Sequence, residues 1–305
     1  AVGNSFANTR GLGGVIGKAE NAVSIKHVSN ESTKAAASES PAYLGSINSV
    51  GQTSVRYMYV GGMVGCGTQS MTFDDCSVLQ VRIAACECSG GVAGLIANNK
   101  AFTANNIRVK GIQIDGAYSG GVLGQAGGTG NTVVLSNSSV ADSVFKTKRC
   151  SWSNHPDGAH TYSGGIIGDT KGTIRLSNIL VSENEFTDKG IDHFYQGQLF
   201  GDVAPQDING IYASGLDVQL KSGQKQGDVP GLMHYRIPAS TTDVNKKCYF
   251  AFADYNDVST KDATAGGHYG GDGSDLYNDD AVDAAVDSAS PYVTTNPVSG
   301  ELKVK

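Results

Sequence analysis

The sequence predicts an all-β protein in which a parallel β-solenoid, with coils of about 30 residues, is followed by a small β-rich acidic module. Three observations lead to this prediction. A glycine motif recurs along the first two thirds of the chain, and short stretches of alternating apolar and polar residues follow its copies. The acidic charge, by contrast, collects in the last quarter of the chain.

The repeat has the pattern Gly-Gly-apolar-apolar-Gly and accounts for many of the 41 glycines among the 305 residues. Five copies are complete, and a sixth has Gln198 in place of its second glycine. Tyrosine stands two positions before four of the copies. Such a recurrence predicts one structural unit per copy, each stacked on the next. The repeat glycines are Gly13, Gly14, Gly17, Gly61, Gly62, Gly65, Gly90, Gly91, Gly94, Gly120, Gly121, Gly124, Gly164, Gly165, Gly168, Gly197 and Gly201.

Each unit contains three short segments of period two, which indicate strands, and no helical period of useful length. One unit cannot bury its apolar face alone, so we expect each strand to pair with its equivalent in the next coil, about 4.8 Å away. Glycine is expected at corners that need a positive φ or a close backbone approach. Asn106, Asn137 and Asn178 also suit corners, because Asn tolerates the left-handed region. A β-sandwich with glycine-rich turns is the alternative.

The solenoid is predicted over residues 1–222, with insertions at about 30–53 and 146–160. Insertions in solenoids project as loops from one face, which is often the binding face. The second insertion holds the single tryptophan of the chain, and an exposed indole stacks on a sugar or anchors a protein partner. The alternative is that this indole packs under its own loop. The candidate ligand-binding residues are Trp152, His155 and His160.

Residues 223–305 are predicted to form the acidic module, which caps or extends the solenoid. Between Asp243 and Asp287 there are ten Asp and three Lys, a local charge of −7, whereas the whole chain carries −6. Carboxylate and amide oxygens are the ligands that Ca²⁺ prefers, so a structural calcium is the one cofactor considered. A solvated acidic loop is the alternative. The candidate ligands are Asp272, Asp275, Asn278 and Asp279.

The chain has six cysteines, an even number. In an extracellular chain they would allow up to three disulfides, although the sequence leaves the pairing open. Buried free cysteines that act as small apolar residues are the alternative. Their spacing does not fit a zinc site. The candidate disulfide cysteines are Cys66, Cys76, Cys86, Cys88, Cys150 and Cys248.

Catalytic motifs are absent from the sequence. It contains neither Gly-x-Ser-x-Gly nor His-Glu-x-x-His, and its acidic residues do not recur with the period of the repeat. We therefore expect no enzyme, and a polysaccharide-acting enzyme remains an alternative. The acidic balance argues against a nucleic-acid partner, and no apolar run is long enough to predict a membrane span.

The six glycine copies resemble the GLUG-type repeat, whose core is Gly-Gly-apolar-apolar-Gly followed by a strand, a corner and another strand. The resemblance covers about residues 11–218. GLUG-like repeats occur in large secreted or surface-anchored bacterial proteins, including adhesins and the amino-terminal regions of some IgA-cleaving metalloproteases. The resemblance implies a right-handed β-helix and an extracellular location, either secreted or at the cell surface.

The expected function is that of a structural or adhesive surface protein whose solenoid presents loops to a protein or glycan on another cell. One alternative is a filament subunit that binds copies of itself head to tail. The other is a polysaccharide-acting enzyme or the accessory arm of a secreted protease. Because the first residue is not Met and the last residues alternate like a strand, we also expect a removed signal sequence and a fragment of a longer protein.

Overall fold

A computed structural model of the chain describes residues 11–32, 47–48, 59–85, 87–147, 161–188, 194–197, 201, 207–219, 248–251, 293–295 and 302–304. The secondary structure of these residues consists of strands, with no helix among them. None of the described segments is therefore a helix long and apolar enough to cross a membrane.

Twenty-five strands are described, and most are three to five residues long. They are β1 (Gly11–Gly13), β2 (Ile16–Ala19), β3 (Val23–Lys26), β4 (Ser29–Glu31), β5 (Ile47–Asn48), β6 (Tyr59–Gly61), β7 (Val64–Gly67), β8 (Met71–Leu79), β9 (Arg82–Ala84), β10 (Cys88–Gly90), β11 (Ala93–Ile96), β12 (Ala101–Lys110), β13 (Gln113–Gly116), β14 (Tyr118–Gly120), β15 (Leu123–Ala126), β16 (Thr132–Ala141), β17 (Val144–Thr147), β18 (Thr161–Gly164), β19 (Ile167–Thr170), β20 (Thr173–Asp188), β21 (Phe194–Gly197), β22 (Asp207–Gln219), β23 (Cys248–Ala251), β24 (Val293–Thr295) and β25 (Leu302–Val304).

The strands form three parallel sheets and one antiparallel hairpin. Sheet A has the order β1-β6-β10-β14-β18-β21, and sheet B has the order β19-β15-β11-β7-β2. Sheet C has the order β3-β8-β12-β16-β20-β17-β13-β9-β5, with β4 on β8, β22 on β20 and β23 on β22. The hairpin pairs β24 with β25.

Equivalent positions of successive repeats lie side by side in these sheets. In sheet A, Tyr59 pairs with Cys88, Cys88 with Tyr118, and Tyr118 with Tyr162. For the residues that the structure describes, the prediction of an all-β fold with parallel strands stacked in sheets is therefore confirmed, and the arrangement is compatible with a parallel solenoid. The parallel pairing does not fit the β-sandwich alternative, whose sheets are antiparallel.

The main core lies on the inner faces of the strands, where alternate residues of sheet C turn inward. Phe73 and Phe102 pack with ring centroids 5.4 Å apart, and Phe145 and Phe186 stack at 4.8 Å. All four rings are buried, and burial of one such side chain stabilises a fold by about 1.5–3 kcal/mol. Stacking like residues on like residues thus gives the repeat its core.

The predicted division at residue 222 stays a prediction, because few residues beyond it are described. Among these, β23 joins sheet C in parallel with β22, with Ile211 opposite Cys248. The predicted insertion at about 30–53 lies largely outside the described residues, and so does most of the insertion at 146–160. The second insertion is flanked by Thr147, the last residue of β17, and by Thr161, the first residue of β18.

Candidate functional site

The residues predicted to bind a ligand lie outside the described part of the chain. This holds for Trp152, His155 and His160, and also for the calcium candidates Asp272, Asp275, Asn278 and Asp279. These assignments stay predictions. Within the described ranges, no group of three or more His, Cys, Asp or Glu side chains is placed to hold a metal ion.

Three of the six cysteines are described with their side chains. Cys66, Cys76 and Cys88 are buried free cysteines, as in the alternative to disulfides. The Sγ of Cys76 donates to the carbonyl oxygen of Asp74 at 3.3 Å. Cys86 and Cys150 lie outside the described residues, and only the backbone of Cys248 is described, so a disulfide among these three stays a prediction.

We call the turn between sheets A and B, formed by the repeat glycines, the glycine corner. A Cβ on Gly124 would lie 2.5 Å from the carbonyl oxygen of Gly94 and 2.8 Å from that of Ser89, so backbone packs directly against backbone. Of the glycines that the structure describes, only Gly111 has a φ in the left-handed region, at 64°. Of the two predicted reasons for the repeat glycines, the structure therefore shows the close approach of neighbouring backbones, and not a positive φ.

A second corner, which we call the asparagine corner, bends sheet C. It contains one residue from each of five successive coils, and their φ values lie between 50° and 56°. This confirms the prediction that the recurring asparagines occupy left-handed corners. The column consists of His27, Asp75, Asn106, Asn137 and Asn178.

Side-chain hydrogen bonds join the coils along the asparagine corner. The Nδ2 of Asn106 donates to Oδ1 of Asp75 at 2.9 Å, and that of Asn178 donates to Oδ1 of Asn137 at 2.8 Å. The Nδ2 of Asn137 donates to Oδ1 of Asn105 at 2.9 Å. The amides therefore bond mainly to one another, which makes this ladder a device for holding coils in register.

The ladder ends at an exposed contact between His27 and Asp75 on the first two described coils. The Nδ1 of His27 lies 2.7 Å from Oδ2 of Asp75, and both side chains are exposed. Nearby, Nζ of Lys26 lies 3.8 Å from Oδ2 of Asp74. Surface pairs of this kind contribute about 0–1 kcal/mol each. They therefore add little to the stability of the pairing between these two coils.

A largely buried cluster of polar and apolar side chains lies beside the glycine corner. Sheet A contributes what we call the tyrosine column, which consists of Tyr59, Cys88, Tyr118 and Tyr162. Sheet B contributes the facing column, one residue after each glycine motif, which consists of Lys18, Cys66, Leu95, Gln125 and Asp169. Tyr59, Cys66, Cys88 and Leu95 form an apolar cluster separate from the main core, and Tyr118 packs against it.

Hydrogen bonds cross this cluster from coil to coil. The Sγ of Cys88 donates to Oε1 of Gln125 at 3.4 Å, and Nε2 of Gln125 donates to Oδ2 of Asp169 at 2.9 Å. The rings of Tyr118 and Tyr162 stack with centroids 5.5 Å apart. Because each ring covers a face of the other, this pair is poorly suited to stacking on a sugar.

Burial raises the pKa values of two thiols and two phenols of the cluster. It raises the pKa of Cys66 to about 11, and it raises the pKa of Cys88 well above the ordinary thiol value. It also raises the pKa values of Tyr59 and Tyr118, with smaller contributions from nearby thiol and carboxyl groups. Protonated, buried thiols are poor nucleophiles, so the cluster supports packing and not covalent catalysis.

Glu87, like Asp169, is an acidic residue of this region. Burial raises the pKa of its carboxyl group, and a hydrogen bond with Tyr59 partly opposes that shift. A carboxyl group of raised pKa is a typical general acid, but catalysis also needs a second catalytic group beside it in a substrate-binding cleft. The sequence reasoning noted the recurring tyrosines but missed the facing column, although each facing residue directly follows a glycine motif.

Comparisons of the chain with protein-family models, with curated proteins and with solved structures found no match.

Proposed function

We propose that the chain is an extracellular, structural or adhesive surface protein, built as a right-handed β-helix of GLUG type with coils of about 30 residues. The observation that supports it most is the register, in which successive glycine motifs pair position by position. A scaffold held by backbone pairing keeps its shape while its loops vary.

The chemistry of the described residues favours presentation over catalysis. The thiols beside the glycine corner are buried and protonated, and the amides of the asparagine corner bond to their neighbours. A loop projecting from such a scaffold is the natural contact with a protein or glycan on another cell. The insertion between β17 and β18 is our candidate, because it carries Trp152.

The test is binding of the full chain to a glycan array and to a panel of host and bacterial cells. We expect Trp152→Ala to weaken binding at least about tenfold, as loss of an aromatic anchor does. Lys171→Ala is the matched control, because Lys171 is exposed between β19 and β20. Its binding should equal that of the parent.

Two results would overturn this proposal. Equal binding by Trp152→Ala and the parent would remove the insertion from the contact. Absence of any glycan or cellular ligand, together with release of reducing sugars from a polysaccharide, would favour the enzymatic alternative.

A filament subunit is the second candidate, and one observation favours it. Among the described strands, β1 to β4 each pair on one side only. On this coil Val15 is 49% exposed, and Leu12 and Ile16 are only partly buried. An open parallel edge is a template for another strand, such as one from a second copy.

Light scattering and electron microscopy of the full chain test this candidate. Head-to-tail assembly predicts filaments that shorten in Val15→Lys, because a charge on the edge opposes strand addition. Asn98→Lys is the control, since Asn98 is exposed in a turn away from that edge. A monomer at every concentration would reject the filament.

A further inference from the structure

Leu180 is buried although its position in β20 turns it away from the core. Its neighbours Ile179 and Val181 are 0% exposed and belong to the main core cluster. Successive residues of a strand point to opposite faces, so Leu180 lies on the outer face of sheet C. It is nevertheless only 1% exposed, and it belongs to neither apolar cluster.

The burial extends to neighbouring outward positions. Ser139 pairs with Leu180, Ala141 lies two residues further along β16, and both are fully buried. We call Ser139, Ala141 and Leu180 the Leu180 patch. On the other side of the asparagine corner, before Asn178, the same outer face of β20 is open to solvent, because Arg175 and Ser177 are exposed. Other atoms of the protein therefore cover the outer face of β16 and β20 after the asparagine corner.

The hairpin β24–β25 is a described element outside the three parallel sheets that approaches β20. Its strand β25 contacts β20. Both edges of β20 are already occupied, by β16 and β17 on one side and by β22 on the other. Because the core fills the inner face, the outer face is the remaining approach. The sequence of β25 alternates, with Leu302 and Val304 on either side of Lys303, as expected of a strand with one apolar face.

We propose that the Leu180 patch is a docking surface for the hairpin β24–β25 of the same chain, which straps the carboxyl-terminal region onto sheet C. With β23 paired to β22, the two described elements that flank the acidic stretch, β23 and β24, then both lie on sheet C. This role is independent of the proposed adhesive function, because it concerns the chain's own carboxyl-terminal segment.

The test measures the reaction of a maleimide with Leu180→Cys in the full chain, followed by mass spectrometry of the peptide that contains residue 180. We expect slow labelling, and at least about tenfold faster labelling when Leu302→Asp and Val304→Asp are added, because thiol reactivity follows exposure. Ser177→Cys is the matched control on the exposed part of the same face, and it should label rapidly in both backgrounds.

Several results would overturn the proposal. One is rapid labelling of Leu180→Cys in the full chain. Another is slow labelling that the two hairpin substitutions leave unchanged, which would mean that another segment covers the patch. Protection that is lost on dilution would identify a second copy as the cover. If the doubly substituted hairpin impairs folding, removal of residues 289–305 provides the second variant, with the same expected acceleration.

Discussion

Each coil turns at a glycine corner and at an asparagine corner, and the two follow different rules. At the glycine corner backbone meets backbone, so the space for a side chain is already filled by carbonyl oxygens such as that of Gly94. At the asparagine corner the side chains are partly exposed, and the residue needs a left-handed φ together with a group that bonds to the next coil.

This difference explains why one motif is strict and the other varies. A steric requirement favours glycine, and five of the six copies keep all three glycines, with Gln198 replacing the second one in the sixth copy. A hydrogen-bonding requirement admits several residues, so His27 and Asp75 occupy the column that Asn106 and Asn137 continue. The strictness of a repeat therefore indicates which physical constraint acts at each position.

The largest expected effect is at the glycine corner. Gly124→Ala places a Cβ 2.5 Å from the carbonyl oxygen of Gly94 and 2.9 Å from the amide nitrogen of Ser89, and neither backbone atom can yield cheaply. We expect the free energy of unfolding to fall by about 3 kcal/mol, measured by chemical denaturation.

Gly128→Ala is the matched control for this prediction. Its Cβ would meet the side chain of Asn98, an exposed residue that can move aside. We expect a change within about 0.5 kcal/mol. Equal losses in the two variants would contradict the steric account of the motif.

The next largest effect is at the asparagine corner. Asn137→Ala removes the side-chain bonds to Asn105 and Asn178 and forces alanine into a φ of 50°. Together these changes should cost about 2–3 kcal/mol. Asn137→Gly loses the same bonds without the backbone strain, so it should cost only about 1 kcal/mol. An equal cost in the two variants would show that φ does not select the residue here.

A smaller effect is expected in the buried serines of sheet A, next to the glycine corner. Ser119 donates to the carbonyl oxygen of Gly116 at 3.2 Å, whereas the Oγ of Ser163 is buried without a hydrogen-bond partner. Ser119→Ala should lower the free energy of unfolding by about 1 kcal/mol, and Ser163→Ala should raise it by about 1 kcal/mol. Thermal unfolding of both variants checks the opposite signs, and a loss in both would count against the assignment.

The smallest effect is the pH dependence from Glu87. Burial raises the pKa of its carboxyl group above 4.5, so the folded state binds this proton more tightly than the unfolded state. Stability therefore falls as the pH rises from about 4.5 through the raised pKa. Glu87→Gln should be more stable than the parent at pH 7 and equal to it at pH 4. A gain of the same size at both pH values would exclude titration as its cause.

The sequence predicted the elements that repeat and missed those that depend on tertiary context. The glycine motif implied the parallel register, and Asn106, Asn137 and Asn178 implied the left-handed corners. The facing column escaped notice because Lys18, Cys66, Leu95, Gln125 and Asp169 share a position but no chemistry. The sequence pattern around Leu180 is likewise that of an ordinary strand, and it does not show that this outward residue is buried. Its burial depends on packing against residues distant in the sequence.

Nuclear Overhauser contacts between backbone protons of equivalent residues test the central claim, the in-register stacking of parallel coils, most directly. In the structure Val109 pairs with Val140, and Val140 pairs with Val181. We predict amide contacts that link these three residues in that order, together with contacts that link Tyr59, Cys88 and Tyr118. Contacts that pair any of these strands in the antiparallel sense, or with a shifted register, would contradict the account.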